Sequence, residues 1–322
     1  MFRFFNSSGR VNFVIKNHCI RYVYSKSENA WEIDDTGDIA LPPHIMEDGK
    51  IKDSRELARI VENFIESKGW SNKSLYFTVP DHSVVVRPFE VPVHVKNDEI
   101  KGYLYMQLGE TLHLPFDDPA FDFSVMSENE EKKKLLLFAY PEEQIRMLDQ
   151  VFNDAKLKTK AADVSALSIY RLYEYLDLTS EGEHLLIIDW NLDGCVLTVF
   201  NEHVPAFINH TRSPLSMTLW KRENGRYVWL GDDGGGPTEF TYDQVNEVER
   251  IMDFYRFSVM NGEASVSKVL LTGDWPENGL VRELLEAKGI QVAALKEADV
   301  FLDSGQPSSG EYMDAIGLSI KP

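Results

Sequence analysis

The hydrophobic positions of the chain change period along its length, from the alternation of strands to the three- and four-residue spacing of helices. Two β-rich runs, VNFVIK at 11–16 and CIRYVYS at 19–25, are separated only by Asn17 and His18, which predicts a tight hairpin. Helical spacing then predicts a helix that Ser54 caps and Gly69 ends. The other elements predicted for the first half are strands at 30–33, 74–79 and 84–91, a helix between Asn97 and Pro115, strands at 121–126 and 135–140, a helix at 142–155, a strand at 159–164 and a helix at 165–176.

The second half of the chain repeats this order of elements after a polar break at 180–184. Its predicted elements are strands at 185–189, 195–200 and 203–209, a hairpin at 217–230 that turns at 223–225, a helix at 242–260, a strand at 269–271, a helix at 281–288, a strand at 290–293 and a helix at 312–320. A duplicated unit of this kind predicts two α/β lobes, at 1–180 and 181–322, with a cleft between them. The block at 83–140 interrupts the first repeat and predicts a small inserted α+β subdomain.

Charge and composition exclude several classes of protein. The chain of 322 residues has a net charge of −19, which argues against nucleic acid or an anionic membrane surface as the main partner. Hydrophobic residues make up 43 %, enough for a packed core. Two cysteines exclude a disulfide framework, and no apolar run approaches the roughly 18 residues of a spanning helix. These features predict a soluble, cytosolic protein.

Seven stretches spread over nearly the whole chain carry a resemblance to a known family. They are LPPHIMEDGKIKD at 41–53, LYFTVPDHSVVVRPFEVP at 75–92, LGETLHLPFDDPAFDFSVM at 108–126, KTKAADVSALSIYRL at 158–172, MDFYRFS at 252–258, SKVLLTGD at 267–274 and AIGLSI at 315–320. In their order and spacing the chain resembles the PilM family of type IV pilus assembly and, more distantly, the FtsA family of cell division. The resemblance implies a duplicated actin-like (ribonuclease H-like) fold whose second lobe has a reduced outer subdomain at 213–237.

The resemblance also locates the loops that hold nucleotide in actin-like ATPases, and several residues depart from the family pattern. Val14 stands where the family has a metal-supporting Asp, and Lys16 stands where it has Gly. Asn191 replaces a Gly, and Asp274 adds a carboxylate where the family has bare backbone. The vestigial nucleotide loops are thus assigned to Lys16, Asn17, Asp189, Asn191, Asp193, Gly194, Gly273 and Asp274. These departures predict a pseudo-ATPase without efficient hydrolysis.

The roles of individual residues stay open at this point. Asp189 is either a metal-supporting carboxylate or a strand-end residue that accepts backbone N–H groups. Lys16 could contact a phosphate as a point charge. Cys19 and Cys195, on equivalent hairpins, are either buried small residues or a redox pair. The triple glycine at 234–236 follows two aspartates and lacks the Lys-Ser/Thr of a P-loop, so a flexible loop is expected. No catalytic residue and no metal site are predicted.

The resemblance implies a function in an assembly platform rather than in catalysis. The expected role is a non-catalytic cytoplasmic scaffold of a type IV pilus or type II secretion-like system, which recruits the short cytoplasmic tail of a PilN-like inner-membrane protein near the inserted subdomain. Such a protein would be cytoplasmic and would associate with the inner membrane only through its partner. No cofactor is expected. The alternatives are an ATP- and Mg²⁺-binding ATPase or ATP-gated switch in the same machinery, and a self-associating filament former.

Overall fold

The computed structural model describes residues 9–26, 32–223, 225–232, 234–293 and 310–322. The elements of the first half, in chain order, are β1 (Arg10–Ile15), β2 (Cys19–Ser25), β3 (Asp35–Ala40), β4 (Met46–Glu47), β5 (Lys50–Ile51), α1 (Ser54–Lys68), β6 (Ser74–Thr78), β7 (Val85–Pro92), α2 (Ile100–Gln107), β8 (Pro119–Glu128), β9 (Lys132–Pro141), α3 (Glu142–Asp154), β10 (Lys158–Asp163) and α4 (Ser165–Tyr175). Those of the second half are β11 (His184–Asn191), β12 (Gly194–Asn201), β13 (Val204–Arg212), β14 (Trp220–Glu223), β15 (Arg226–Trp229), α5 (Pro237–Phe254), β16 (Lys268–Thr272), α6 (Asn278–Ala287), β17 (Val292–Ala293) and α7 (Met313–Ser319).

The two halves build sheets of the same topology. The first sheet has the order β10-β6-β1-β2-β3, and the second has the order β13-β12-β11-β16-β17. When the strands are numbered within each half, both sheets have the order fifth, fourth, first, second, third. The second sheet shows this order when it is read from β17 to β13. In both sheets the first strand pairs antiparallel with the second and parallel with the fourth. The hairpin predicted around Asn17 and His18 is confirmed, with Ile15 opposite Ile20.

Helices α4 and α7 form a shared layer between the two sheets. Their apolar side chains, such as Ile169 and Ile316, belong to a core cluster that also includes Val14 of the first sheet and Ile187 of the second. The central strands are covered on both faces, so nearly all of their side chains are buried. The lobes are thus joined by a continuous hydrophobic core, and the connection at 176–183 passes from α4 to β11.

The inserted block lies between β6 and α3 and has its own core. It forms a three-stranded antiparallel sheet of order β7-β9-β8. Helix α2 packs on this sheet, with Ile100 and Leu104 in a cluster that also contains Leu135 and Leu137 of β9. Strand β7 continues through Pro88. Proline is tolerated there because β7 is an edge strand of its sheet.

The structure corrects two predictions in the first lobe. The third strand spans Asp35–Ala40 rather than 30–33, where residues 30 and 31 lie outside the described residues. Its sequence, DTGDIA, is polar because it is a half-buried edge strand, so the apolar pattern did not reveal it. The cap of α1 is Asp53 instead of Ser54, since the Asp53 side chain accepts a hydrogen bond from the Glu56 N–H at 2.9 Å.

Two further helix boundaries differ from the sequence prediction. Helix α2 ends at Gln107, well before Pro115, because the chain turns through Gly109, which has a φ of 78°. Helix α5 begins at Pro237 rather than near 242, since proline suits the first helical position, where its missing N–H is not needed. At its other end α5 continues as a π-helical turn from Tyr255 to Val259. No helix among the described residues is long and apolar enough to cross a membrane.

Candidate functional site

Three loops meet where the two sheets face each other. They are the β1–β2 turn at 16–18, the β11–β12 turn at 192–193 and the loop that follows β16 at Gly273. The Asn17 N–H donates a hydrogen bond to Asp193 Oδ2 at 2.9 Å, which connects the first two loops across the cleft. The Asn17 side chain accepts from the Gly49 N–H at 2.9 Å, which anchors the turn within its own lobe.

Close packing requires glycine at two positions in these loops, Gly194 and Gly273. A Cβ atom at Gly273, whose φ is 101°, would collide with the backbone of Trp190. A Cβ atom at Gly194 would collide with the carbonyl oxygen of Thr211. Both residues must therefore be glycine for the second lobe to pack, whether or not a nucleotide binds.

The side chain of Lys16 occupies the centre of the cleft. It is buried, and its ammonium lies 2.9 Å from Asp189 Oδ2, 3.2 Å from Asp81 Oδ2 and 3.9 Å from Asp314 Oδ2. Burial disfavours the charged amine, but the three carboxylates more than offset this and raise the pKa of Lys16 well above its usual value. The ammonium group therefore acts as the counter-ion of these three buried carboxylates.

Arg21 forms a second ionic bridge between the lobes. Its guanidinium lies 2.5 Å from Asp274 Oδ2 and 3.0 Å from Asp314 Oδ2, and it donates to Asn191 Oδ1 at 2.8 Å. The planar fork of arginine allows these three acceptors to be bound at once. Arg21 thus fixes two of the predicted loop residues, Asn191 and Asp274, to strand β2 of the first lobe.

Asp274 is held ionised by its surroundings. Besides Arg21, His18 Nε2 lies 2.7 Å from its Oδ2 atom, and the Leu192 N–H donates to its Oδ1 atom at 3.0 Å. Burial alone would raise the pKa of Asp274, but Arg21 and His18 hold it well below the usual range. Asp314 differs, because burial and the neighbouring Asp189 raise its pKa to about 6 against the opposing effects of Arg21 and Lys16.

We name these six groups the central cluster: Lys16, Arg21, Asp81, Asp189, Asp274 and Asp314. Its four carboxylates face two permanent cations, so the cluster has an excess of negative charge. The remaining space beside it is about 10 Å³, bounded by residues such as Lys16, Asp81 and Asp193. A cavity of that size holds no more than one water molecule. The centre of the cleft is filled by the protein's own side chains.

A larger cavity, which we name the mouth, opens beside the central cluster. It has a volume of about 600 Å³ and is lined by His18, Cys19, Leu41, Met217, Trp220 and Tyr227, among others. The β14–β15 hairpin forms one wall. Arg222 of this hairpin is ion-paired with Asp38 of the first lobe and contacts Glu311 at 3.1 Å, so its charge is already compensated.

The structure brings all eight sequence-predicted loop residues into or beside the central cluster. The Asp189 carboxylate accepts from Lys16 Nζ at 2.9 Å and from Thr272 Oγ1 at 3.3 Å, so its partners here are side-chain donors, whereas one of the two alternatives for this residue named backbone N–H groups. Cys19 and Cys195 are both buried and free, and neither forms a disulfide. The glycine loop at 234–236 does not line either cavity, and Asp233 lies outside the described residues.

Sequence reasoning missed three members of the central cluster, namely Arg21, Asp81 and Asp314. A signal existed for Arg21, since a charged residue inside the buried strand CIRYVYS requires a partner. Asp81 follows β6 at the edge of the cleft, and its other oxygen accepts from the Ser165 hydroxyl. Asp314 comes from the last helix, far along the chain. The sequence pattern also did not reveal that His18, Cys19 and Asp274 bring possible metal-ligand atoms within 4.8 Å of one another.

Comparison with known proteins gives this arrangement a family. The sequence model of "Type IV pilus assembly protein PilM" matches residues 15–211, which is more than half of the chain. The chain belongs to the PilM family. The matched region includes the β1–β2 turn, the inserted subdomain and the β11–β12 turn of this PilM-family protein. No curated protein sequence matches it significantly.

Solved structures show the fold of this PilM-family chain. A chain of a PilM–PilN type IV pilus biogenesis complex has a TM-score of 0.75 at 15% identity, with 97% of this chain and 99% of that chain covered. An ethanolamine utilization protein of Carboxydothermus hydrogenoformans has a TM-score of 0.53 at 9% identity, with coverage of 97% and 89%. A Bacteroides thetaiotaomicron protein with an actin-like ATPase fold has a TM-score of 0.50 at 8% identity, with full coverage of both chains. The predicted duplicated actin-like α/β fold is confirmed.

Proposed function

We propose that this PilM-family protein is a pseudo-ATPase that acts as a non-catalytic scaffold in type IV pilus assembly. One observation carries the proposal: Lys16 and Arg21 fill the space between the phosphate loops and are themselves neutralised by four buried carboxylates. A nucleotide site needs room for the phosphates and a surplus of positive charge or bound metal. The central cluster leaves a space of about 10 Å³ and has more carboxylates than cations.

A bound triphosphate would have to break the central cluster first. Displacing Lys16 or Arg21 would leave buried carboxylates without their partners, which is costly in a protein interior. The phosphates would then face Asp81, Asp189, Asp274 and Asp314, whose charges repel them. Hydrolysis would additionally need a metal, and Val14 cannot serve as a metal-supporting carboxylate. These costs support a scaffold that works without ATP.

The partner in this proposal is the short cytoplasmic tail of a PilN-like inner-membrane protein. The match to a chain of a PilM–PilN type IV pilus biogenesis complex supports such a partner. The inserted subdomain offers a surface for it, because Tyr105, Met106, Val125 and Met126 are large apolar side chains exposed there. Val125 and Met126 belong to β8, a strand at the edge of the inserted sheet. Through the tail, the protein would be held in the cytoplasm at the inner membrane.

A peptide-binding experiment tests the scaffold. A fluorescent peptide of the PilN-like tail is titrated with the full chain, and anisotropy is recorded with and without Mg-ATP. We expect binding of the same affinity in both conditions, because the side chains of Lys16 and Arg21 already fill the space between the nucleotide loops. Met106→Asp, a change of a 68 % exposed residue on α2, should weaken binding at least tenfold.

The matched control for that experiment is Phe257→Asp, which alters a 60 % exposed residue on the second lobe. It should bind the peptide like the unmodified protein. Binding that appears only with Mg-ATP would contradict the pseudo-ATPase, and absence of binding in both conditions would contradict the tail as the partner. Equal weakening by both variants would place the binding surface elsewhere.

A further inference from the structure

The mouth has the size and the walls of a small-ligand site. Its volume is about 600 Å³, and most of its lining residues are apolar, such as Leu41 of the first lobe and Met217, Trp220 and Tyr227 of the second. Small-molecule sites usually measure about 300–1,000 Å³ and combine apolar walls with a few polar groups. Because both lobes contribute to the walls, a molecule bound in the mouth would contact both of them.

Arg222 is shared between two carboxylates at the mouth. Its guanidinium is ion-paired with Asp38 and lies 3.1 Å from Glu311 Oε1. Burial and Asp38 raise the pKa of Glu311, against the opposing effects of Arg21 and Arg222. A raised carboxyl pKa is typical of a negative charge that its surroundings compensate poorly. One cation therefore does not balance both carboxylates.

The other charged groups nearby do not remove this excess of negative charge. Burial lowers the pKa of His18, but Cys19 and Asp274 raise it well above its usual value, so the imidazole is charged at neutral pH. The charges of His18 and Arg21 are matched by those of Asp274 and Asp314. A ligand with one positive charge would therefore balance the mouth, whereas the phosphates of a nucleotide would increase its negative charge.

Two polar side chains that line the mouth have buried atoms without partners. Arg222 and Tyr312 both contact Asp38 Oδ2, but the Oδ1 atom has no hydrogen-bond partner among the described residues. The Asp38 side chain is only 8 % exposed. The indole N–H of Trp220 is also buried and has no acceptor in the described part of the chain. Buried polar groups without partners are costly, so a donor for Asp38 and an acceptor for Trp220 would stabilise the protein.

We propose that the mouth binds a small amphiphilic amine. Its ammonium group donates to Asp38 Oδ1 and supplies the missing positive charge. Its flat apolar body lies against Leu41, Met217 and Tyr227, and the aromatic ring of Tyr227 also attracts the ammonium. An oxygen at the other end of the molecule accepts from the Trp220 N–H. None of these residues belongs to the central cluster or to the inserted subdomain, so the mouth would bind the amine whether or not the protein is a scaffold.

Titration with tyramine and three analogues tests the class of ligand. Tyramine has an ammonium group, a phenyl ring and a ring hydroxyl. Tyrosol replaces the ammonium group by a hydroxyl, 4-hydroxyphenylacetate has a carboxylate in its place, and phenethylamine lacks the ring hydroxyl. Binding to the full chain is measured by calorimetry. We expect tyramine to bind about tenfold more tightly than tyrosol or better, because hydrogen bonds to charged groups are the stronger ones.

The two remaining analogues separate the contributions of charge and of the acceptor. The carboxylate analogue should not bind, because it adds to the negative charge of the mouth. Phenethylamine should bind more weakly than tyramine, because it leaves the Trp220 N–H without an acceptor. Tyramine should also raise the melting temperature of the chain with its concentration, since a ligand of the folded state stabilises it.

Thr218→Trp tests the location, because Thr218 is exposed and lines the mouth. The added indole ring should fill part of the cavity and abolish tyramine binding. Thr111→Trp, the same change at an exposed threonine of the inserted subdomain, should bind tyramine like the unmodified protein. Asp38→Asn should remove the preference for tyramine over tyrosol, because a neutral amide no longer distinguishes an ammonium group from a hydroxyl.

Three results would overturn the proposal. The first is no tyramine binding at millimolar concentration, and the second is equal affinity for tyramine and tyrosol. The third is equal tyramine binding by Thr218→Trp and Thr111→Trp, which would place the site outside the mouth. If Asp38→Asn folds poorly, the affinities of the unmodified chain for tyramine and tyrosol still decide, since that comparison changes only the ligand.

Discussion

The two parts of the interlobe cleft have opposite characters. The central cluster contains six charged side chains and leaves a space of about 10 Å³. The mouth beside it is about 600 Å³, and its walls include apolar residues such as Leu41, Met217 and Trp220. Ligand pockets usually measure about 300–1,000 Å³, so the mouth is large enough for a small molecule and the centre is not.

This difference shows that volume alone does not make a nucleotide site. Phosphates bind where backbone N–H groups or free cations converge. In the centre, Lys16 and Arg21 have taken the place of phosphates and metal. In the mouth, Arg222 of the hairpin wall is already paired with Asp38 and Glu311. We therefore propose that the cleft keeps the shape of the actin-like fold and lacks the anion-binding chemistry of an ATPase.

The largest expected effect comes from removing the cation at the centre. Lys16→Met keeps the length of the side chain and deletes its charge, which leaves Asp81 and Asp189 without their ammonium partner. Breaking a buried pair in this way costs about 3–5 kcal/mol. Urea unfolding should show a loss of that size in the free energy of unfolding.

The control for Lys16→Met is Lys52→Met, which alters an exposed lysine paired with Glu47. Surface pairs contribute little, so the stability should hardly change. A Lys16→Met protein as stable as this control would show that the centre does not depend on its ion pairs. The contrast between centre and surface would then be wrong.

A smaller effect is expected when the charge is kept and the geometry is changed. Arg21→Lys retains a cation but loses the fork that joins Asn191, Asp274 and Asp314. One or two buried acceptors are then unsatisfied, at about 1–3 kcal/mol in the free energy of unfolding. Arg59→Lys, at an exposed pair with Glu56, is the comparison, and an equal response of both proteins would contradict the bridging role.

These predictions also show what could be learned from sequence. The hairpin around Asn17 and His18 was predictable because its signals are local, and the duplication was visible because each half repeats the same order of periodicities. The partners of Arg21 were not, since Asp314 lies 293 positions further along the chain. The departures at Lys16 and Asp274 indicated lost chemistry. The ion pairs that these residues form, Lys16 with Asp189 and Asp274 with Arg21, depend on distances that only the fold supplies.

The smallest expected effect is a pH dependence of the stability, caused by His82 at the edge of the central cluster. The His82 ring lies 4.0 Å from that of His210, with Asp48 3.7 Å from Nε2. Burial, then His210 and Arg212, lower the pKa of His82 to about 4, against the opposing effects of Asp48 and Asp193. The folded protein therefore keeps His82 neutral while the unfolded chain takes up a proton below about 6.5.

Because the unfolded state binds more protons, stability falls as the pH decreases from about 6.5 toward 4. His82→Gln should remove this term and reduce the loss between pH 7 and 4.5 by about 1–2 kcal/mol, after a discount for partial exposure. Urea unfolding at both pH values measures it. His113→Gln, on the exposed surface, should leave the pH profile unchanged. A His82→Gln profile that matches that of the original protein would show that His82 is not held neutral.

Thermal unfolding in the presence of nucleotide tests most directly whether the cleft binds ATP. The full chain is melted alone, with Mg²⁺, and with Mg-ATP or Mg-ADP at millimolar concentration. A ligand that binds only the folded state raises the melting temperature with its concentration. We expect no shift beyond that caused by Mg²⁺ alone, because Lys16 and Arg21 already occupy the space between the phosphate loops. A rise of several degrees that depends on nucleotide concentration would contradict it and restore the ATP-gated alternative.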